Sequence, residues 1–440
     1  VSGTGDMWDF EWLSEGYSSA PWGIASTEIS KLILEEGVTS VGNEAFDGCT
    51  ALSEIVFSST VAKLGDYSFQ NTGIASISIP ATVLTLGVSV FYQCLKLEEI
   101  TVAEENPNYC AIDGVLFTKD MSELLAYPSA RAGAYTVPDG VVSIQAGAVA
   151  FATLETITFP QSLRTIEDYG FSYCSALTEL VLPEGLTKIS YYAFGACTGL
   201  KSVTFPASLI EIGDRAFQSC TALETISFSG TVEKIGDYCF CNCRSLTVMV
   251  IPDSLSEFGS GAASGCLSLT GFAVSGNNPY FTAIDGVLFT KDQKELVQYP
   301  AGKTDSSYSA PAGLEIVRYG SFFNCQNLTS LTLPEGLTEI RNFAFERCSN
   351  LADVSFPSTL YRIGSSAFVN CSSLQSAVFH EGLYEIDDFA FQYCSSLREL
   401  QLPKGLYRIG YAAFGNCNAL TELTIPEGLT VLDEWSFCEC

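Results

Sequence analysis

From about residue 30 onward, apolar and polar positions repeat with a step of 23. Residues 180 to 200 read LVLPEGLTKISYYAFGACTGL, and one step later the chain reads VTFPASLIEIGDRAFQSCTAL. Later copies read LTLPEGLTEIRNFAFERCSNL, VSFPSTLYRIGSSAFVNCSSL and LQLPKGLYRIGYAAFGNCNAL. The common pattern is [LIV]-x-[LIF]-P-x-x-L-x-x-I-x-x-x-A-F-x-x-C-x-x-L. Within one unit, Leu177, Leu180 and Leu182 predict a short strand with one buried face. Pro183 ends it, because it has no N–H for a further ladder bond. Leu186 and Ile189 predict a second extended segment facing inward. Ala193 and Phe194 predict a tight turn, the small residue making room and the large one filling the core. One such unit cannot bury its apolar face alone, so the pattern predicts a solenoid of about fifteen stacked coils sharing a core.

Cysteines mark the register. Cys174, Cys197, Cys220, Cys243 and Cys266 stand 23 apart, as do Cys325, Cys348, Cys371, Cys394, Cys417 and Cys440. Earlier units centre on Cys49, Thr72 and Cys94, and a degenerate one on Ala152. Of the 17 cysteines, thirteen occupy this ladder position. Successive coils would hold them parallel at roughly 4.8 Å, whereas a disulfide wants Cβ atoms converging to about 3.8 Å. They are therefore expected as small buried thiols. Cys110, Cys239, Cys241 and Cys438 lie off the ladder, with Cys241 and Cys438 sharing a position expected to be exposed. The run CFCNC at 239 to 243 suggests a metal knuckle, but it lacks the C-x-x-C spacing and second half-site of zinc centres.

The rhythm is broken twice by inserts. The decapeptide AIDGVLFTKD occurs at 111 to 120 and again, 172 residues later, at 283 to 292. Each copy reads strand, Asp-Gly, strand, which is a two-residue hairpin signal. Asp113-Gly114 and Asp285-Gly286 tolerate the positive φ of a type I′ turn. A third strand, LLAYP or LVQYP, follows a second turn, so each insert is expected to form a three-stranded β flap, over about 104–136 and 276–309. Calcium at Asp113 and Asp120 is disfavoured, since the D-x-D-x-D-G spacing is missing. Cys94 and Cys266 are also 172 apart, pointing to duplication of a block of coils with its insert.

Composition narrows the functional classes. The 50 acidic residues outnumber 21 basic ones, for a formal charge of -29. That field repels phosphate backbones and anionic lipid, so nucleic acid is not an expected partner. There is no apolar run of about 18 residues, so no membrane insertion is expected. The opening VSGTGDMWDF has no basic and apolar leader, and a signal and an anchor are expected outside this chain. One histidine, His380, leaves no material for a His-based triad or metal site. No enzyme activity and no cofactor are expected.

The C-x-x-L-x-x-[LIV]-x-[LIF]-P-x-x-L-x-x-I-x-x-x-A-F repeat resembles the BspA-like, or Treponema-type, leucine-rich-repeat surface proteins. The inserts N-P-x-[YF]-x-A-I-D-G-V-L-F-T-K-D and the opening SGTGDMWDF…APW are similar to segments of that family. The resemblance covers nearly the whole chain. It implies a leucine-rich-repeat right-handed superhelix with a parallel sheet and short turn or helical segments. It further implies a bacterial cell-surface or secreted location and adhesion or protein binding. Departures are Thr72 at a ladder Cys position, the degenerate unit at Val149 and Ala152, and His380 at a Pro position.

Two organisational expectations and one site follow. Trp8, Phe10, Trp12 and Trp22 are expected to form an aromatic cap over residues 1–28, covering the open end of a single solenoid at 29–440. Tyr361, Tyr384 and Tyr407 stand 23 apart, each followed by Arg362, Glu385 or Arg408. They are either a ladder that stabilises neighbouring coils or a partner-binding patch, since Tyr and Arg anchor interfaces. In the second reading the arginines form a local basic spot. A further stripe (Tyr67, Tyr169, Tyr192, Tyr238, Phe343, Phe389 and Trp435) is interrupted and is expected to be packing. The mid-strand positions Val56, Ser78, Thr101, Thr158, Val181, Thr204, Ser227 and Val250 give a smooth sheet face. The expected function is adhesion through protein partners, host matrix or other cell-surface proteins, by a monomer. The alternative is a carbohydrate-binding or scaffolding solenoid attached to an unseen domain, with glycans as ligands.

Overall fold

The computed structural model describes residues 1–11, 13 and 18–440. They form two compact units, Val1–Thr221 and Ala222–Cys440. Each is a stack of three-sided coils with the apolar side chains inside. In the first unit the strand Glu179–Val181 pairs in parallel with Ser202–Phe205, joining Leu180 to Val203. On the second side Lys188–Ile189 pairs with Glu211–Ile212. Both pairings advance by one 23-residue step. In the second unit Arg362–Ile363, Glu385–Ile386 and Arg408–Ile409 form the same second-side ladder. Leu186, Ile189, Ala193, Phe194 and Cys197 are fully buried. Each large apolar side chain so buried contributes about 1.5–3 kcal/mol. The structure is a parallel β solenoid, as the 23-residue rhythm predicts, and each insert adds a coil, bringing the number to about seventeen.

The proline turn works through its carbonyl as well as its missing N–H. Pro183, Pro206, Pro334 and Pro403 each accept the amide of the leucine three residues on, at 3.2 to 3.3 Å. His380, in the same slot, accepts from Leu383 at 3.1 Å, so the turn survives the replacement.

The third side is neither helix nor strand. Tyr192, Phe194 and Ala196 donate their amides to Asp214, Ala216 and Gln218 of the next coil at 3.0, 2.8 and 2.7 Å. The alternate amides of Gly195 and Cys197 turn back to Tyr192 and Phe194. Tyr192 and Ala196 have φ of 51° and 57°, in the left-handed region, and Phe343 and Arg347 repeat this in the second unit at 58° and 61°. Non-glycine residues are uncommon there. The ladder to the next coil holds them in that conformation. Inside it the phenylalanines stack: Phe171–Phe194 at 5.1 Å, and Phe345–Phe368 and Phe368–Phe391 at 4.8 and 4.9 Å.

The ladder cysteines are free thiols in both units. Sγ atoms donate to carbonyls of the preceding coil: Cys174 to Val149 at 3.1 Å, Cys197 to Phe171 and Cys220 to Phe194 at 3.1 and 3.2 Å, and Cys371 to Phe345 and Cys394 to Phe368 at 3.1 and 3.3 Å. Burial pushes the Cys94 thiol up to about 11 and those of Cys49 and Cys417 to about 12, so these are not thiolates at neutral pH. Cys241, expected to be exposed, is buried.

The inserts are built into the stack rather than laid upon it. Tyr109–Ile112 and Val115–Thr118 form the expected hairpin, with φ of 47° and 73° at Asp113 and Gly114. Glu123–Ala126 pairs antiparallel with the hairpin and parallel with Ser143–Ile144, so this third strand is a rung of the second-side ladder. Val115, Phe117 and Leu124 are fully buried. The flap expectation is corrected by the unbroken run Val115-Leu116-Phe117: a strand apolar at every position is covered on both faces. The second insert repeats this with Phe281–Ile284, Val287–Thr290 and Glu295–Gln298, the last pairing with Ile316–Val317. Asp120 accepts from the Ser122 amide and hydroxyl and from the Thr118 hydroxyl, so it holds a turn.

At the start of the first unit, Trp22 stacks on Phe46 at 5.1 Å, meets Phe10 edge-on, and donates its indole N–H to Ala45 at 2.7 Å. Trp8 is 83% exposed and takes no part in this covering; Trp12 lies outside the described residues. No helix among the described residues is long and apolar enough to cross a membrane.

Candidate binding surface

Tyr361, Tyr384 and Tyr407 sit in the second unit, just before the second-side strands. The Tyr384 amide donates to the Tyr361 carbonyl and that of Tyr407 to Tyr384, both at 2.9 Å. The backbone thus sets the ring spacing. The rings stack at 5.2 and 5.0 Å with planes 3° apart. They are 52%, 38% and 38% exposed. The structure brings all three together as one outward comb, but the middle ring's two faces are covered by its neighbours.

The next residue in each coil points outward, while the following isoleucine is buried. Arg362 meets Glu339 and Glu385, both at 3.4 Å, and Asp387 at 2.6 Å. Arg408 meets Glu385, Asp387, Asp388 and Asp433 at 3.2, 3.0, 2.8 and 2.7 Å. Five carboxylates therefore surround two guanidiniums, which corrects the expected basic spot: the flank of the comb is acidic. Asp387 is the centre of the network, its side chain only 6% exposed. Burial pushes its carboxyl above the ordinary range, and Arg362 and Arg408 oppose that shift. The signal for this network was in the sequence as Asp387, Asp388 and Asp433, but Asp387 and Asp433 lie 25 residues after Arg362 and Arg408, and Asp388 lies 20 before Arg408, off the 23-residue step.

The second aromatic stripe is denser than its spacing indicated. In the first unit Tyr67 and Tyr169 both meet Tyr92, Tyr169 meets Tyr191 and Tyr192, and Phe151 stacks on Tyr173 at 4.6 Å. Tyr92, Phe151, Tyr173 and Tyr191 occupy other positions of the coil, so a single-column reading misses them. On the first-side sheet, Val181 is 71% exposed and Val56 and Val250 also face solvent. Among the described residues no cluster of His, Cys, Asp and Glu is placed to hold a metal ion.

Two parallel ladders, a stacked phenylalanine core and turns of leucine register define a leucine-rich-repeat solenoid. The chain matches the BspA type leucine rich repeat region, in 6 copies, over residues 24–119, 132–180, 165–291 and 315–440, and belongs to that family. No curated protein matches it in sequence. Among solved structures it is similar to a leucine rich cell surface protein from Faecalibacterium prausnitzii, at 22% identity and a TM-score of 0.57, covering 97% of this chain and 92% of that one. It is also similar to the pneumococcal vaccine antigen PcpA, at 22% identity and a TM-score of 0.53, covering 73% of this chain and 89% of the antigen.

Proposed function

We propose that this chain is a non-enzymatic bacterial leucine-rich-repeat protein, displayed at the cell surface or secreted, that mediates adhesion through protein–protein binding. Its binding residues in this reading are Tyr361, Tyr384 and Tyr407, flanked by Arg362 and Arg408. The observation that carries it is the exposed comb of three stacked tyrosines. Such rings are stiff, large and cheap to immobilise, which is why they anchor interfaces. A sugar ring needs an open aromatic face, and Tyr384 has none, so protein is favoured over glycan. The acidic flank calls for a partner with a basic patch, among host matrix or other cell-surface proteins.

The test is a binding screen of the protein against such partners, followed by Tyr384→Ser. The substitution is expected to weaken capture by about 1 kcal/mol or more and to leave the melting temperature nearly unchanged. A fall in melting with binding untouched would assign the comb to coil stability and move the site elsewhere.

A further inference from the structure

The first insert lines a cavity beside its own crossing of the third side. A regular coil crosses its third side through the A-F-x-x-C turn. The insert coil crosses it through Tyr127, Pro128 and Ser129, with the Tyr127 amide bonded to Ala148 at 2.7 Å and the Ala130 amide to Leu97 at 2.9 Å. The coils before and after still bridge the gap, Ser89 Oγ donating to the Ala146 carbonyl at 2.8 Å. What the short crossing leaves empty is about 230 Å³. The wall mixes apolar and aromatic side chains, among them Phe91, Tyr92, Leu116 and Tyr127, with the polar side chains of Thr118 and Gln145. The space exceeds the ~150 Å³ that suffices for an aromatic ring in a protein interior.

One acidic side chain lines this space, Glu123. Its amide is bonded to Thr118 Oγ1 at 3.1 Å. Among the described residues its carboxylate has no ion pair and no hydrogen bond, and no lysine or arginine lines the cavity. The duplicated insert supplies the contrast. There the equivalent carboxylate, Glu295, is bonded to Arg318 and lies 3.8 Å from Arg341. Gln145 stands in the first copy where Arg318 stands in the second, and Glu167 where Arg341 stands. Ala126, on the cavity wall, is replaced by Gln298, which is fully buried and bonded to Ser321 at 2.9 Å. So the first copy keeps an aromatic-walled space with an uncommitted carboxylate, and the second commits its carboxylate to its own arginines.

We infer that the first-insert cavity binds a small organic amine with an aromatic body, the ring among Phe91, Tyr92 and Tyr127 and the ammonium at Glu123. A cation beside tyrosine faces gains from the ring quadrupole as well as from the carboxylate. The site lies in the unit Val1–Thr221 and the tyrosine comb in the other unit, so the two readings stand or fall independently.

The experiment is calorimetric titration of the whole protein with phenethylamine at neutral pH. Two comparators are titrated alongside: 2-phenylethanol, with the ring and no charge, and ethylamine, with the charge and no ring. Phenethylamine is expected to saturate and both comparators to bind at least about tenfold more weakly. Glu123→Gln should bring phenethylamine down to the level of 2-phenylethanol. Ala126→Gln, copying the second insert, should abolish binding. If Ala126→Gln lowers the melting temperature, the rim variant Glu123→Gln decides alone. Absence of saturable binding up to millimolar phenethylamine, or equal binding by wild type and Glu123→Gln, overturns the assignment.

Discussion

At Cys197 a position legible in the sequence carries a bond that was not. The 23-residue spacing shows that the thiol is buried and unpaired with another thiol. It does not show that Sγ reaches back 26 residues to the Phe171 carbonyl, because that contact joins two different positions of the repeat. Thr72 shows the alternative: its Oγ1 donates within its own coil to Phe69 at 3.0 Å and meets Cys94 Sγ at 3.2 Å. Cys197→Ala removes a buried bond and leaves a small void, and is expected to cost about 1–2 kcal/mol in denaturant unfolding. Thiol titration in denaturant without reductant should find all 17 cysteines free. A count far below that would contradict the ladder. Asp47 is a second residue-scale feature. Burial pushes its carboxyl from 3.8 to about 6, with Glu44 adding to the shift and bonds from Gln70 and the Gly48 amide opposing it. The folded state then holds a proton that the unfolded state has lost, so this group makes stability fall as pH rises from about 4 to about 6. Asp47→Asn should gain about 1–2 kcal/mol at pH 7 to 8 and nothing near pH 4. Equal gains at both values would rule out titration as the cause.

Individual elements divide by how they are coded. The parallel strands were legible because their apolar residues recur at one spacing, and the Asp-Gly hairpins because only a few residues accept two successive positive φ values. The third side was not, since alternating left-handed residues there include Tyr192, Ala196 and Phe343, which advertise no such conformation. The comb at Tyr361, Tyr384 and Tyr407 was legible as a column, but its acidic flank came from residues on a neighbouring turn. That flank has an energetic consequence. Arg408→Gln would leave Asp387, buried beside Glu385, with only Arg362, and is expected to cost about 1–3 kcal/mol at pH 7.5. Because burial already raises Asp387, it takes up a proton readily and then needs no counter-charge, so the deficit should shrink toward pH 4. Thermal melts of both proteins at the two pH values measure this, and a constant deficit would place the effect in packing instead.

For the molecule as a whole, the inserts matter more than a surface flap would. Removing residues 107 to 135 takes away the fully buried Val115, Phe117 and Leu124 and the ladder rung that meets Ser143–Ile144. Hydrogen exchange is expected to show lost protection around Leu86 and Ile144 in the unit Val1–Thr221, with coils farther along that unit retained, since each contacts only its neighbours. Unchanged protection at Ile144 would mean the rung is dispensable. The backbone ladders also have a reading in terms of heredity. Losing one residue within a coil reverses which side chains face inward along the rest of that strand. Losing residues 188 to 210 together does not: Ile166, which pairs with Ile189, meets Ile212 instead, and Cys220 finds the Phe171 carbonyl that Cys197 had used. Length in this chain is therefore a quantised quantity, and recombination between misaligned copies, of the kind recorded by two identical decapeptides 172 residues apart, yields offspring that fold without any further mutation.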